Sequence, residues 1–262
     1  MNWKRWLVVI AFLSLVCLWQ EWPDERLRVV FCDVGQGDAS LVVLGSFQAL
    51  IDTGPSEDKL FDCLGNNMPF WDRHINLVFI SHPQKDHNGA LSGLVSRYRV
   101  DKVVTEKFGK DVYRYGELYF DILLGNSHES SPEKKSGSDE NEDSMVVGLR
   151  YYDFSALFTA DIGEKTELAL ISMGVLRKTT VLKVPHHGSK FSSCFPFLEK
   201  LRPAISVVSV GKGNSYGHPN SDTLIRLEQV GSKVLRTDQN GSVGVVYDGK
   251  RKLGIDVSQN SD

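Results

Sequence analysis

Ser81-His82-Pro83-Gln84-Lys85-Asp86-His87 is the stretch from which the rest of this sequence is read. The apolar run 75–80 leads into it with the length and composition of a buried strand, and Leu91, Leu94 and Val95 follow at helical spacing. A strand therefore delivers two imidazoles and a carboxylate to one loop just before a helix starts. Such a set within a few residues reaches one or two cations at ordinary ligand distances. Asp86 as a simple cap of the next helix is the alternative, and the loop alone does not decide between them.

Working outward, other apolar runs end in polar loops of the same kind. Residues 156–159 end at Ala160-Asp161, where a carboxylate suits two bridged cations. Residues 180–184 end at Pro185-His186-His187-Gly188-Ser189, a histidine pair at a strand end and not on an apolar face. Residues 205–210 lead to Tyr216-Gly217-His218-Pro219, where His218 taken alone reads equally well as a turn residue. Nearer the start, 27–32 opens onto Asp33-Val34-Gly35-Gln36-Gly37-Asp38-Ala39, and 47–51 ends at Asp52-Thr53-Gly54. Runs 27–32, 40–44 and 47–51 follow one another with glycine punctuation and no crossover helix, the pattern of an antiparallel meander. Further strands are expected at 100–105, 145–151, 243–247 and 253–257. Helices are expected at 58–64, 164–171, 195–201 and 221–230. No internal repeat is visible, and a two-sheet α/β sandwich fits this order better than one parallel sheet.

These motifs, in this order, resemble the metallo-β-lactamase fold. The Asp33–Ala39 segment, Ile51-Asp52-Thr53-Gly54, the Lys183–Ser189 segment and Tyr216-Gly217-His218-Pro219 are more specifically similar to the C-terminal hydrolase domain of ComEC proteins. The resemblance runs from about Val29 to Val245. It implies a four-layer αββα sandwich with divalent metal, zinc or manganese, at one edge between the sheets. One ion would take Asp86, His87, the bridging Asp161 and one of His186 and His187, with His187 favoured. The other would take His82, position 84 and Asp161. Here the chain departs from the pattern: Gln84 supplies an amide oxygen, a weak ligand, so the second ion is held less well. The Asn141–Ser144 segment, matching the family's N-x-x-S, adds no imidazole. Asp52 is expected to orient histidines from behind, Asp38 to order water, His218 to contact phosphate or protonate a leaving oxygen, and Lys183 and Ser189 to meet the substrate.

Composition bounds the function. The chain has 262 residues, 41% hydrophobic and 24% charged, enough for a sizeable core. A formal net charge of -3 excludes a global positive field that would gather nucleic acid. Cys17, Cys32, Cys63 and Cys194 form no C-x-x-C pair, which argues against a zinc ribbon, while spacing leaves any disulfide open. Lys4 and Arg5 precede the uncharged run 7–19, so residues 1–26 read as an uncleaved signal-anchor in a membrane, with domain 27–262 on the outer side. The expected activity is metal-dependent hydrolysis of a phosphodiester, with DNA as substrate. The alternatives are another phosphorylated surface substrate, or a metal-poor domain that binds without catalysing. Residues 127–143 carry no large apolar side chain and read as a polar surface loop. Mild proteolysis should nick the chain there first and leave the rest folded, as read by mass spectrometry of the fragments; first cleavage elsewhere would contradict the loop reading.

Overall fold

The computed structural model describes residues 3–20, 25–105, 111–124, 143–250 and 252–257. Among them the strands form two seven-stranded sheets. In spatial order the first holds β14 (Leu253–Val257), β13 (Val243–Tyr247), β1 (Leu27–Phe31), β2 (Ser40–Leu44), β3 (Phe47–Ile51), β4 (His74–Phe79) and β5 (Arg99–Val104). The second holds β12 (Lys233–Arg236), β11 (Ile205–Val208), β10 (Val181–Lys183), β9 (Phe154–Phe158), β8 (Val146–Tyr151), β7 (Leu118–Leu124) and β6 (Val112–Tyr115). The helices are α1 (Trp3–Gln20), α2 (Glu57–Asn67), α3 (Lys85–Asn88), α4 (Leu91–Arg97), α5 (Glu164–Ser172), α6 (Phe195–Leu201), α7 (Ser221–Gln229) and α8 (Thr237–Asn240).

Strand alternation explains the layering. Val29 and Phe31 of β1 face the second sheet, where they join Phe120, Leu149, Phe158 and Val207 in one core. Val30 and Cys32, one residue out of phase, face the other way and pack under Leu60, Cys63 and Leu64 of α2 and Leu94 of α4. On the far side, Leu157 of β9 and Leu182 of β10 pack beneath Leu170 of α5, Phe197 of α6 and Leu227 of α7. Three cores separate four layers, helix–sheet–sheet–helix, as the αββα expectation requires.

Each sheet changes from antiparallel to parallel pairing partway across. β14, β13, β1, β2 and β3 pair antiparallel, then β3, β4 and β5 pair parallel. In the second sheet β6 to β9 pair antiparallel, and β9, β10, β11 and β12 pair parallel. The carboxyl ends of β1, β3 and β4 thus share one edge of the first sheet, and those of β9, β10 and β11 share one edge of the second. Open parallel sheets bind ligands at such ends.

The structure adds elements the sequence reading passed over. The β6–β7 hairpin turns at Gly116, and only Leu118, Phe120 and Ile122 of β7 alternate inward, while β6 is largely exposed. β12 and α8 were also unassigned; each spans four residues, too short for a period to register. The 127–143 loop lies, apart from Asp143, outside the described residues. Among the described residues no helix is long and apolar enough to cross a membrane. The uncharged part of α1, residues 7–19, covers about 20 Å at the helical rise, against a hydrocarbon core of roughly 30 Å.

The cysteines resolve into one disulfide, Cys32–Cys63, with Cα atoms 5.8 Å apart, and a buried free Cys194. The bond ties the end of β1 to α2. Its sequence separation of 31 corresponds, by loop-closure entropy, to about 3–4 kcal/mol of stabilisation. Replacing both cysteines by serine should lower the unfolding free energy by about 3 kcal/mol in urea titration. An unchanged midpoint would show that the bond does not form in the protein.

Candidate metal centre

The backbone turns sharply where the ligand-bearing strands end. Asp52 after β3, Ala160 after β9, and His186 and His187 after β10 all have positive φ, between 46° and 61°. Non-glycine residues held there cost on the order of 1–3 kcal/mol each and persist only where the surroundings over-determine them. Gly37 solves a different problem: a Cβ there would lie 2.3 Å from the Asp86 carbonyl oxygen. Without one, the Asp33–Asp38 loop presses against the Gln84–His87 loop, and the Asp38 amide donates to the Asp86 carbonyl at 3.0 Å.

Asp52 organises the first-sheet side. Its Oδ1 accepts from the Ser81 amide at 2.7 Å, and its Oδ2 accepts from the Ser81 hydroxyl at 2.8 Å. The same Oδ2 lies 2.8 Å from His87 Nδ1, which fixes that nitrogen as the protonated one and leaves Nε2 facing the gap between the sheets. Ser81 Oγ also sits 2.9 Å from His82 Nδ1, with Ser144 Oγ at 3.3 Å on the other side. On the second-sheet side, His187 Nδ1 donates to the Ser209 carbonyl at 2.8 Å, again leaving Nε2 toward the gap. Asp161 lies between the two rings, with Oδ1 3.3 Å from His87 Nε2 and Oδ2 3.5 Å from His187 Nε2.

One ligand atom each from Asp86, His87, Asp161 and His187 lies within 4.8 Å of the other three. The Nε2 atoms of His82, His87 and His187 and Oδ1 of Asp161 are buried without a hydrogen-bond partner. Buried polar atoms are rarely left so, because each costs about 1–3 kcal/mol. A shared divalent cation would satisfy those of the four-residue cluster at once, and an imidazole–carboxylate set suits zinc and manganese alike. The charges agree. Burial pulls His87 and His187 down, but Asp161, helped by Asp52 at His87 and by Asp38 at His187, holds both above the ordinary histidine range. Burial pushes Asp161 up, and the two histidines hold it well below the usual carboxylate range. His82 is shifted down by burial and then by His87.

The expected residues fall into three groups. Asp86, His87, Asp161 and His187 form the cluster, and Asp52 stands behind His87. His82 is a neighbour, its ring 4.1 Å from that of His87, but it lies outside the four-residue set. Gln84 stands at the start of α3 without a side-chain capping bond, and Asn141 lies outside the described residues. His186 is half-buried, its Nε2 4.0 Å from Asp161 Oδ2, and its ring is 5.8 Å from that of His218. Two expectations are corrected. Lys183 is only 2% exposed, and its ammonium is turned inward, ion-paired with Asp38 and donating to the Ala160 carbonyl at 3.1 Å. Ser189 is buried too, its hydroxyl accepting from the Phe191 amide and its carbonyl from Thr223. The sequence reading missed Ser81, which bridges Asp52 and His82; its position directly before the first histidine was the available signal.

Because Asp161 and its neighbours hold His87 and His187 above the ordinary range, an ion entering there competes with protons for the two Nε2 atoms. Affinity for a divalent ion should therefore rise with pH through neutrality, and each ion bound should release at least one proton. Calorimetry in buffers of different ionisation enthalpy measures this; binding without proton release would contradict the assigned ligands.

No protein-family model matches the chain. It is 28% identical to ComE operon protein 3 of Bacillus subtilis over 87% of this chain and 34% of that protein. It is 27% identical to recombination protein 2 of Haemophilus influenzae, over 91% and 31%. The chain thus spans about a third of the length of the curated relatives it matches. Among solved structures, the metallo-β-lactamase fold protein YhfI of Bacillus subtilis superposes with a TM-score of 0.55 at 10% identity, covering 83% of this chain and 99% of that one. CmlA, a diiron β-hydroxylase of Streptomyces venezuelae, gives 0.54 at 16% identity, covering 82% and 53%. At these identities the structures establish the fold, and the relatives show what the sequence is similar to: the chain has the metallo-β-lactamase fold and resembles about a third of the length of competence proteins of the ComEC type.

Proposed function

We propose that the chain is a metal-dependent hydrolase of phosphodiester bonds acting on DNA outside the cell membrane. The observation that carries the reading is the convergence of unpartnered His87 Nε2, His187 Nε2 and Asp161 Oδ1 beside Asp86 at the carboxyl ends of parallel strands. Such a divalent ion, when bound, makes water acidic enough to attack at neutral pH and polarises a phosphoryl oxygen. The chain's own part is preorganisation. Asp52 and the Ser209 carbonyl fix which nitrogen of His87 and His187 carries hydrogen, and Asp161 sits between the two rings. Lys183 holds the Asp38 carboxylate in place beneath them. His218 is shifted down by burial and by His187, so at neutral pH it meets a phosphate as a neutral hydrogen-bonding imidazole, not as an acid.

DNA as substrate is supported by relatives named for recombination and competence, "Recombination protein 2" and "Competence protein ComA". The outer location is supported by the Cys32–Cys63 disulfide, since such bonds persist in oxidising compartments.

The test is hydrolysis of bis-p-nitrophenyl phosphate and of single- and double-stranded DNA by the purified chain with zinc or manganese. Asp86→Asn and His187→Ala should abolish turnover, while His82→Ala should cost about 10–100-fold. With Gln84 a weak ligand, elemental analysis should find about one tight ion per chain, and Gln84→Asp should add a second and raise the rate. Metal binding without hydrolysis of any phosphodiester would overturn the catalytic reading in favour of a binding domain. Two tight ions in the unaltered chain would overturn only the weakened second site.

A further inference from the structure

The edge of the sandwich opposite the candidate metal centre has a character of its own. β1, β4 and β9 begin there, and the β13–β14 turn closes there. Two contacts tie these turns together. Arg28 at the start of β1 donates to Asn67 at the end of α2 at 3.0 Å, and Gly249 backs onto the Tyr152 ring, joining the two sheets at this edge.

Three aromatic side chains stand out from it. Phe70 is 67% exposed and Tyr152 62%, and Trp71 packs edge-on against Phe70 with ring centroids 4.8 Å apart. Around them lie exposed Arg73, Arg97, Arg99, Lys178, Lys250 and Lys252. Of the nearby acids, Glu25, Glu117 and Asp153 are exposed, and two others are engaged within the chain. Asp72 accepts from the Gln48 side chain and the His74 amide, and Asp248 accepts from the amides of Lys250 and Lys252. A chain of net charge -3 therefore carries a cationic edge, while Asp38, Asp52, Asp86 and Asp161 gather at the other. α1 is joined to β1, which begins at this edge, through residues 21–26, at most about 25 Å of extended chain. Trp3, Trp6, Leu7, Val8, Ile10 and Phe12 of α1 are all exposed.

We propose that this edge seats on a membrane surface bearing anionic lipid head groups, with Phe70, Trp71, Tyr152 and the apolar face of α1 entering the interface, so that the metal centre points away from the bilayer. Aromatic side chains prefer the head-group level, and each cation near an anionic surface adds attraction. A cationic edge alone would equally suit a nucleic-acid backbone. The exposed apolar helix favours lipid, because it gains nothing from a nucleic acid, whereas the aromatic trio alone would also stack on bases. The inference is independent of the catalytic reading, since it uses none of the residues at the metal centre.

Hydrogen–deuterium exchange of the full chain tests it, with vesicles of phosphatidylcholine alone or mixed with phosphatidylglycerol. The mixed vesicles should protect residues 69–73, 151–153 and 248–250 together with α1, and leave 186–190 and 214–218 exchanging as in solution. Lys250→Glu with Lys252→Glu should weaken binding to the mixed vesicles about tenfold or more, at roughly 1 kcal/mol per cation, and leave binding to phosphatidylcholine alone nearly unchanged. Phe70→Ser with Trp71→Ser, at exposed positions, should abolish the protection at 69–73. Protection confined to α1, protection of the metal-centre edge, or a double-glutamate chain that binds mixed vesicles as wild type does would each overturn the proposal. Protection of the cationic edge by an oligonucleotide but not by vesicles would overturn it in favour of a nucleic-acid face.

Discussion

The site depends on one buried carboxylate. Asp52 leaves β3 in a left-handed turn and receives the Ser81 amide, the Ser81 hydroxyl and His87 Nδ1. These three hydrogen bonds lock the end of β3 to the end of β4 and to the first turn of α3. Because Asp52 accepts the hydrogen bond of His87 Nδ1–H, the other nitrogen faces the gap where Asp161 and His187 arrive from the second sheet. A buried ionised group is tolerated only when it is this fully hydrogen bonded. Each partner is thus constrained by the others, and the loop has little freedom to relax elsewhere.

Such a centre concentrates charge. Asp38, Asp52 and Asp161 are all nearly fully buried, and in the absence of an ion they are balanced by Lys183 and by protons on His87 and His187. Lys183 is a fixed internal cation, held between Asp38 and the Ala160 carbonyl. A divalent ion bound between the rings would take the Nε2 atoms of His87 and His187, whereas Lys183 faces Asp38 and the Ala160 carbonyl. The strained backbone at Ala160, His186 and His187 is a cost met by the well-packed strands that precede it.

The opposite edge is made of what the ends of antiparallel and parallel strands leave over: turns, helix termini and exposed side chains. The two edges of one sandwich therefore differ in the side chains they gather, buried carboxylates and imidazoles at one and exposed aromatic and basic groups at the other. The Cys32–Cys63 bond lies near the acidic one, joining β1 to α2 just before the Asp33–Asp38 loop begins.

Local pattern alone located much of the molecule. Short apolar runs placed β2, β3, β13 and β14 at their observed limits, and glycine punctuation with the absence of crossover helices distinguished a sandwich from a single parallel sheet. Asp86 and His87 were legible because both ligands sit in one loop at a strand end, where a few residues of sequence carry the whole spacing. β6 and β12 were not, because short edge strands carry too few inward residues to show a period. Lys183 was misplaced for a related reason: sequence shows that a lysine flanks the ligand loop, but only packing shows it turned inward onto Asp38. Tertiary structure also paired Cys32 with Cys63 and brought Asp161 and His187 across the gap to His87. Those distances are set by how two sheets stack, and stacking is a property of the buried faces together, which no single segment encodes.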